Sequence, residues 1–379
     1  MKPETDRLAV AVNLLWLVPG VVGGSEEYLV RSLLALAEHH PGDLDVTLYG
    51  ARELGEAHPA LAAAFDIVSP ERSPTSKVAR VVAESTWLAR RTARADVVHH
   101  AGGLLPVRCS GRTVLTLHDT QPLDLPENFS LFKRHYLGRQ LPRSLHRADL
   151  VIGSSRFVLA TAVAAGAKVA AVQHVPPCLI DSTSQSPTGH EAAAVLARLG
   201  VSRPYVMYPA ITYPHKNHRL LVAALAQTEG VDLVLTGGVA QEEQALAEAI
   251  AAGGLGDRVH RLGRVPHDDF AIVMANALAM VFPSRYEGFG LPVLEAMASG
   301  VPVLAANATA LPEVLGPAGW LLSPDEPDVW AAAVARLQAE PATVATLSAA
   351  GRARARQFTA RRTAHALAIA YRRAAGRKG

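Results

Sequence analysis

Cysteine is scarce in this 379-residue chain. The two present, Cys109 and Cys178, cannot make a disulfide framework or a cysteine-rich metal site, and neither belongs to a CxxC pair. An excess of one charge is missing too. Lys and Arg number 37 against 34 Asp and Glu, a formal net charge of +3. That balance argues against a nucleic-acid backbone as the main partner. No apolar run reaches the roughly 20 residues of a membrane span. The best stretch, LAVAVNLLWLVPGVVGG from Leu8, is broken by Asn13 and Pro19. As a signal peptide it would carry acidic Glu4 and Asp6 in its leading segment and lack an A-x-A site, so a buried first strand is the better reading. Neither G-x-G-x-x-G nor G-x-x-x-x-G-K-[ST] occurs, which counts against nicotinamide and P-loop chemistry. The histidines form no H-x-x-x-H pair on a helix, so no zinc site is expected. Asp43-Leu44-Asp45 is a formal D-x-D, but it precedes a strand instead of following one and reads as a turn.

What is present is core. With 49% hydrophobic and 19% charged residues, the chain can bury a large interior, and its length suits two or three domains of about 150 residues. The expectation is a globular cytosolic protein of enzyme size. Runs rich in Val, Ile and Leu recur throughout: LAVAVNL, DVTLYG, FDIV, DVVHH, TVLTLH, DLVIG and VAAVQHV, then PYVMYPA, VDLVLTG, RVHRLG, LAMVFP, VPVLAA and AGWLL. Most are continuous apolar runs, the mark of strands covered by helices on both faces. Alternating with Ala/Leu-rich helical segments, they predict an α/β fold with parallel sheets. The polar, turn-rich stretch Asp181–Glu191 reads as a linker, with seven strands before it and six after. Two Rossmann-like domains facing across a cleft are expected, with ligands at the C-terminal strand edges.

The last helix is basic. From Arg352 to Lys378 there are nine Lys or Arg and no acid, while Ala364, Leu367, Ala368 and Tyr371 form an apolar stripe. A packed helix with a solvated basic face is the first reading, and attachment to a membrane surface is the second. The basic stretch KRHYLGRQLPRSLHR from Lys133 reads as a solvated helix face, with an anionic acceptor or a membrane as alternatives.

The segment richest in chemistry is FPSRYEGFGLPVLEAMASG, Phe282 to Gly300. A buried strand ends at Pro283, Gly288 and Gly290 follow in a loop, Pro292 suits the start of a helix and Gly300 its end. Unpaired N–H groups at such a helix start make an anion site that glycines let a phosphate approach. Glu287 and Glu295 flank it; a loop carboxylate and a dipole-favouring helix carboxylate are their plainer explanations. In YPAITYPHKNHRLL, a helix opening near Asn217 would set cationic Lys216 against the dipole, a penalty that a bound anion would reverse. His118 ends the strand TVLTLH, where Asp119 could simply hold its ring. Gly23 and Gly24 lie between the first strand and a helix, in a phosphate or acceptor loop or in a plain turn.

Together these segments closely resemble the Glu-x7-Glu signature and its companions in retaining glycosyltransferases of family 4, over nearly the whole chain. The resemblance implies the two-domain GT-B fold: 1–182 binding acceptor, 183–358 binding a nucleotide diphosphate sugar, and 359–379 crossing back to the first domain. It implies that Glu287, Gly288, Phe289, Gly290 and Leu291 hold the donor sugar and diphosphate, and that Glu295 holds the ribose hydroxyls. Lys216 would clamp the diphosphate and His118 would lie near the transferred sugar. Gly23 and Gly24 would contact donor or acceptor, while Gly237 and the Val265 backbone would line the base pocket. No metal and no cofactor beyond the sugar nucleotide co-substrate are expected; the acceptor is a glycan, a lipid-linked molecule or a small molecule. Motif variants lean toward bacterial mannosyl- and rhamnosyltransferases. One departure stands out. Many members carry an Arg about five residues before the Lys, and Ile211 stands there, so His215 or Arg285 would have to supply that charge. A nucleotide-sugar 2-epimerase and a non-catalytic sugar-nucleotide binder are the rival readings.

Overall fold

The computed structural model describes residues 7–21, 23–40, 42, 44–74, 76–179, 189–202 and 204–376. The chain divides into two compact units, one comprising Met1–Ile180 with Phe358–Gly379 and the other Asp181–Gln357. A boundary at 182/183 lies outside the described residues. Each unit is built on one parallel sheet with the same logic of strand order.

In the first unit, seven strands run in the order β3-β2-β1-β4-β5-β6-β7: β1 Leu8–Asn13, β2 Leu44–Tyr49, β3 Asp66–Val68, β4 Val97–His100, β5 Arg112–Leu117, β6 Leu150–Gly153 and β7 Val172–His174. In the second, six run β10-β9-β8-β11-β12-β13: β8 Tyr205–Pro209, β9 Asp232–Thr236, β10 Val259–Gly263, β11 Ala279–Phe282, β12 Val303–Ala306 and β13 Trp320–Leu322. These are doubly wound, Rossmann-like sheets. Order reverses between β1 and β4 and between β8 and β11, and a crevice opens at the carboxyl ends of strands at such a switch point. Central strands β4, β6, β9, β11 and β12 are buried at every residue, which is why they read as unbroken apolar runs. Edge strand β10 is buried only at Val259 and is half-buried or exposed along the rest, because one flank meets solvent.

Two expectations change, and the first reading of the terminal helix, a packed one, holds. The linker ends early, since Gly189–Arg198 is helical; residues 180–188 lie outside the described part. Asp45 of the formal D-x-D lies inside β2, while Asp43 is outside the described residues. The stripe of the terminal helix, Ala360–Ala374, is not available to a membrane. Ala364, Leu367, Ala368 and Tyr371 are all buried in the first unit, where each large apolar side chain contributes about 1.5–3 kcal/mol. Tyr371 adds a polar anchor, with its hydroxyl 2.9 Å from His99 Nδ1 on β4, whose Nε2 meets Thr116 Oγ1 at 2.6 Å. Burial lowers His99 to about 3, so this bridge is made by a neutral ring. Among the described residues no helix is long and apolar enough to cross a membrane.

Candidate active site

The switch point of the second sheet collects most of the residues singled out above. After β8 the chain makes a single 3-10 turn, Pro214–Lys216, before the helix His218–Leu225 starts. Asn217 between them adopts φ 60°, a left-handed conformation that Asn tolerates better than most residues. Its amide donates to the carbonyls of Pro283 (3.3 Å) and Pro324 (2.8 Å), which holds that conformation. After β11 the loop runs into the helix Leu291–Ser299, capped by Gly290 at φ 92° and by Gly300 at φ 74°, with Pro292 in its first turn. A Cβ at Gly290 would sit 2.9 Å from Leu311 Cδ2, the end of a side chain that can shift, so it is φ that calls for glycine there.

The two loops are stitched together. The Arg285 N–H donates to the His215 carbonyl at 2.8 Å. Fully buried Tyr208 donates to the Lys216 carbonyl at 3.0 Å and pairs with Ser284 Oγ at 2.7 Å. Lys216 Nζ and Glu287 Oε1 then meet at 2.6 Å with side chains only 19% and 12% exposed. Lys216 is therefore neither solvent-facing nor waiting uncompensated against the dipole: Glu287 offsets that penalty. The Glu287 N–H donates to Thr309 Oγ1 at 3.0 Å, and Thr309 itself sits at φ 51°, a strained conformation for a β-branched residue. Glu295 is half-buried on the Leu291–Ser299 helix, one turn from its start, while Phe289 and Leu291 are buried and Gly288 half-buried.

Around this pair the next strand ends close in. Gly237 has φ 128°, and a Cβ there would lie 2.5 Å from the Ala210 carbonyl oxygen, so β9's loop presses against β8's. Gly237 N–H donates to Gly263 O, and Thr212 N–H to Gly238 O. Val265 follows in the loop after β10, half-buried. The two replacements suggested for the charge missing at Ile211, His215 and Arg285, stand in different states. Burial, with the Lys216 ammonium beside it, lowers His215 to about 4, leaving it neutral. Arg285 is ion-paired with Asp325. Arg264, one residue before Val265, is a further cation beside this loop: a Cβ at Gly238 would touch Ile211 Cγ1 (3.7 Å) and Arg264 Nε (3.8 Å).

His118, Gly23 and Gly24 belong to the first unit. Gly23, at φ 73°, caps the helix Gly24–His39; Gly24 begins it, and a Cβ on either meets open space. Buried Glu26 in that first turn accepts from the Gly20 N–H and contacts His58 Nε2 at 2.8 Å, holding the glycine loop. The His118 ring lies 5.5 Å from Trp16 and edge-on to Tyr28. Its Nε2 is 2.8 Å from the Ala101 carbonyl, which only accepts, so Nε2 carries the hydrogen and Nδ1 keeps a lone pair. Asp119 instead accepts from the Gln121 N–H. Burial lowers the pKa of His118. At the β1/β4 switch point sequence reasoning missed a further cluster. Asn13 Oδ1 accepts from the Leu15 N–H, so its amide points at Glu84 Oε1 (3.2 Å) and His100 Nδ1 (3.3 Å). His100 is held near 4 by burial, and Glu84 sits on a π-helical turn with its pKa raised by burial.

Known proteins share both the fold and part of the sequence. The family model for glycosyl transferases group 1 matches residues 198–354, the stretch that holds Lys216, Glu287 and Glu295. An O-antigen chain mannosyltransferase B of Escherichia coli is 30% identical over 273 residues, covering 70% of this chain and 71% of that one. The chain belongs to the group 1 glycosyl transferases. Solved structures place this glycosyltransferase in the GT-B architecture. A sucrose-phosphate synthase from Thermosynechococcus elongatus superposes with a TM-score of 0.78 at 23% identity over 97% of this chain and 99% of that one. Anabaena HepE, solved with UDP and glucose, gives 0.75 at 22% over 95% and 98%. At those identities the likeness is one of fold.

Proposed function

We propose that this glycosyltransferase moves a hexose from a nucleotide diphosphate sugar to a glycan, lipid-linked or small-molecule acceptor with retention of configuration, as in family 4. A mannosyl donor is preferred over a rhamnosyl one, since the mannosyltransferase likeness extends over more than two thirds of the chain. The observation that carries this reading is the Lys216–Glu287 pair beside a glycine-capped helix start, with Glu295 one turn inside. The arrangement offers a cation and N–H groups to a diphosphate, and carboxylates to sugar hydroxyls.

In the proposed reaction the donor diphosphate takes over Lys216 and releases Glu287 to the sugar. Arg264 supplies the second cation that Ile211 cannot. The anomeric C–O bond to phosphate breaks while the acceptor oxygen bonds the same face of the anomeric carbon. The acceptor proton passes to the departing phosphate oxygen. Lys216 stabilises charge that grows on that leaving group, Glu295 holds the ribose, and Gly237 and Val265 border the base. Neutral His118 positions the transferred sugar in the role assigned to the first unit, with Gly23 and Gly24 in the acceptor loop. No metal takes part, so full activity is expected in excess EDTA; loss restored by Mg²⁺ or Mn²⁺ would show that the diphosphate is neutralised otherwise. A panel of nucleotide sugars with and without acceptors tests the whole reading. Transfer only when acceptor is present supports it, whereas donor turnover without acceptor marks an epimerase and binding without turnover a non-catalytic protein.

A further inference from the structure

The first unit carries a polar row that its own packing leaves unfinished. Parallel register sets Tyr49, Asn13 and His100 side by side at the carboxyl ends of β2, β1 and β4. The helix Lys77–Ala83 and its π-helical continuation, Glu84–Leu88, lie against this row. Glu84 meets Asn13, and Trp87 sits edge-on to Tyr49 with ring centroids 6.0 Å apart. Turns of the π type are rare and recur at functional sites.

The hydrogen bonds of the row do not close. Asn13 Oδ1 is taken by the Leu15 N–H, so its amide hydrogens go to Glu84 Oε1 and to His100 Nδ1. His100 Nδ1 therefore accepts, and Nε2 carries the hydrogen. His100 is 1% exposed, and that N–H has no partner among the described residues. Glu84 is half-buried and bonds through Oε1, leaving Oε2 without a hydrogen bond among the described residues. Trp16, which packs on Gly102 two residues beyond His100, buries a third unpaired group, its indole N–H. A cluster built only to tie strand ends together would satisfy itself, because an unpaired polar group in the interior is costly.

The unfilled positions describe the group that fits them. A carboxylate oxygen needs a donor and two N–H groups need acceptors, and a hydroxyl serves as both. A phosphate or carboxylate would only accept, and it would stand against the Glu84 carboxylate. An ammonium would only donate, leaving His100 and Trp16 unpaired. Beside these atoms, half-buried Tyr49 and Trp87 offer aromatic surface to carbon-bound hydrogens. Hydroxyls on an apolar frame, without charge, are the chemistry of a neutral sugar ring.

We infer that the row Tyr49–Asn13–His100, with Glu84 over it, sets acceptor specificity by taking an uncharged pyranose, whose hydroxyls donate to Glu84 Oε2 and accept from His100 and Trp16. The inference rests on the transferase reading above and adds the class of acceptor. Saturation-transfer NMR on the full chain reads binding without turnover. The probes are the methyl α-glycosides of mannose, rhamnose, glucose and galactose, with mannose 6-phosphate and mannuronic acid as charged counterparts. At least one neutral glycoside should bind, and the charged sugars should bind about tenfold or more weakly. Glu84→Gln keeps the size of the side chain and an oxygen for Asn13 but puts a donor where Oε2 was. It should weaken the neutral glycoside by about 10–100-fold, the worth of a charged hydrogen bond. Trp16→Phe, which keeps a ring and loses the N–H, should weaken it by about 3–10-fold. Both should keep the wild-type circular dichroism spectrum and nucleotide diphosphate affinity. Val78→Ser, at a position 74% exposed on the same helix, should bind as wild type does. The inference is overturned if no neutral glycoside binds, if a charged sugar binds as tightly, or if Glu84→Gln binds normally. Failure of the transferase reading leaves a different mark: neutral-sugar binding that depends on Glu84, with no transfer from any nucleotide sugar.

Discussion

Replacing Lys216 with alanine perturbs two things at once, and the structure separates them. The first is stability. The ammonium and the Glu287 carboxylate are 2.6 Å apart at 19% and 12% exposure, between a surface pair and a fully buried one. Removing one partner costs about 0–1 kcal/mol at a surface and about 3–5 when buried. An intermediate cost of about 2–3 kcal/mol follows, because Glu287 is left charged, desolvated and held by Thr309. For a unit of this size that corresponds to a fall in Tm of about 4–12 °C. Lys216→Ala with Glu287→Gln should recover much of the loss, since the orphaned carboxylate goes with it. The second effect is chemical. Charge accumulates on the departing diphosphate, so kcat should fall by about 10²–10³, as on removal of an oxyanion donor. Donor affinity should fall less, because the amides at the Leu291–Ser299 helix start remain. Differential scanning calorimetry and steady-state kinetics on the three variants read both effects. A Lys216→Ala enzyme with wild-type kcat and a raised KM would refute the leaving-group role. A wild-type Tm would refute the desolvated pair.

Three other expectations are open to direct measurement. Glu295→Ala should weaken donor and free nucleotide diphosphate alike by about 1–3 kcal/mol, the worth of charged hydrogen bonds; unchanged nucleotide affinity by calorimetry would remove its ribose role. Arg264→Ala should weaken nucleotide diphosphate binding by about 1.5–3 kcal/mol while an Ile211→Ala variant binds normally; equal affinity for Arg264→Ala and wild type would leave the second cation unassigned. Acid should destabilise both units well above the carboxylate range. His100, His215 and His218 are held near 4, and His99 near 3, by burial, whereas unfolded histidine titrates near 6.5. The unfolded chain therefore binds more protons, and stability is lost as pH falls from about 6.5 toward 4, by up to about 1.4 kcal/mol per pH unit for each ring. Urea denaturation showing equal stability at pH 7 and pH 5 would contradict that burial.

Much of this molecule was legible in the linear chain, for physical reasons that are local. Strands covered on both faces must be apolar at every residue, so LVIG and VLAA announce themselves without a partner. Gly290, Pro292 and Gly300 mark a helix because φ, ring geometry and chain reversal are properties of single residues. Spacing likewise carried Glu287 and Glu295, eight residues apart on one loop and helix. What tertiary structure decided is whatever depends on which strands become neighbours. β8 lies between β9, the strand that follows it in the chain, and β11, and only the crossover to β11 brings Lys216 to Glu287 across 71 residues of chain. The same adjacency aims Tyr208 at Ser284 and the amide of Asn217 at Pro283. Two basic helices also looked alike as sequence, and packing separated them. Tyr371 finds His99 and is buried, while Phe132 finds only Tyr136 and stays in water. Periodicity can say that a helix has an apolar side, but whether another element covers that side is settled by the fold.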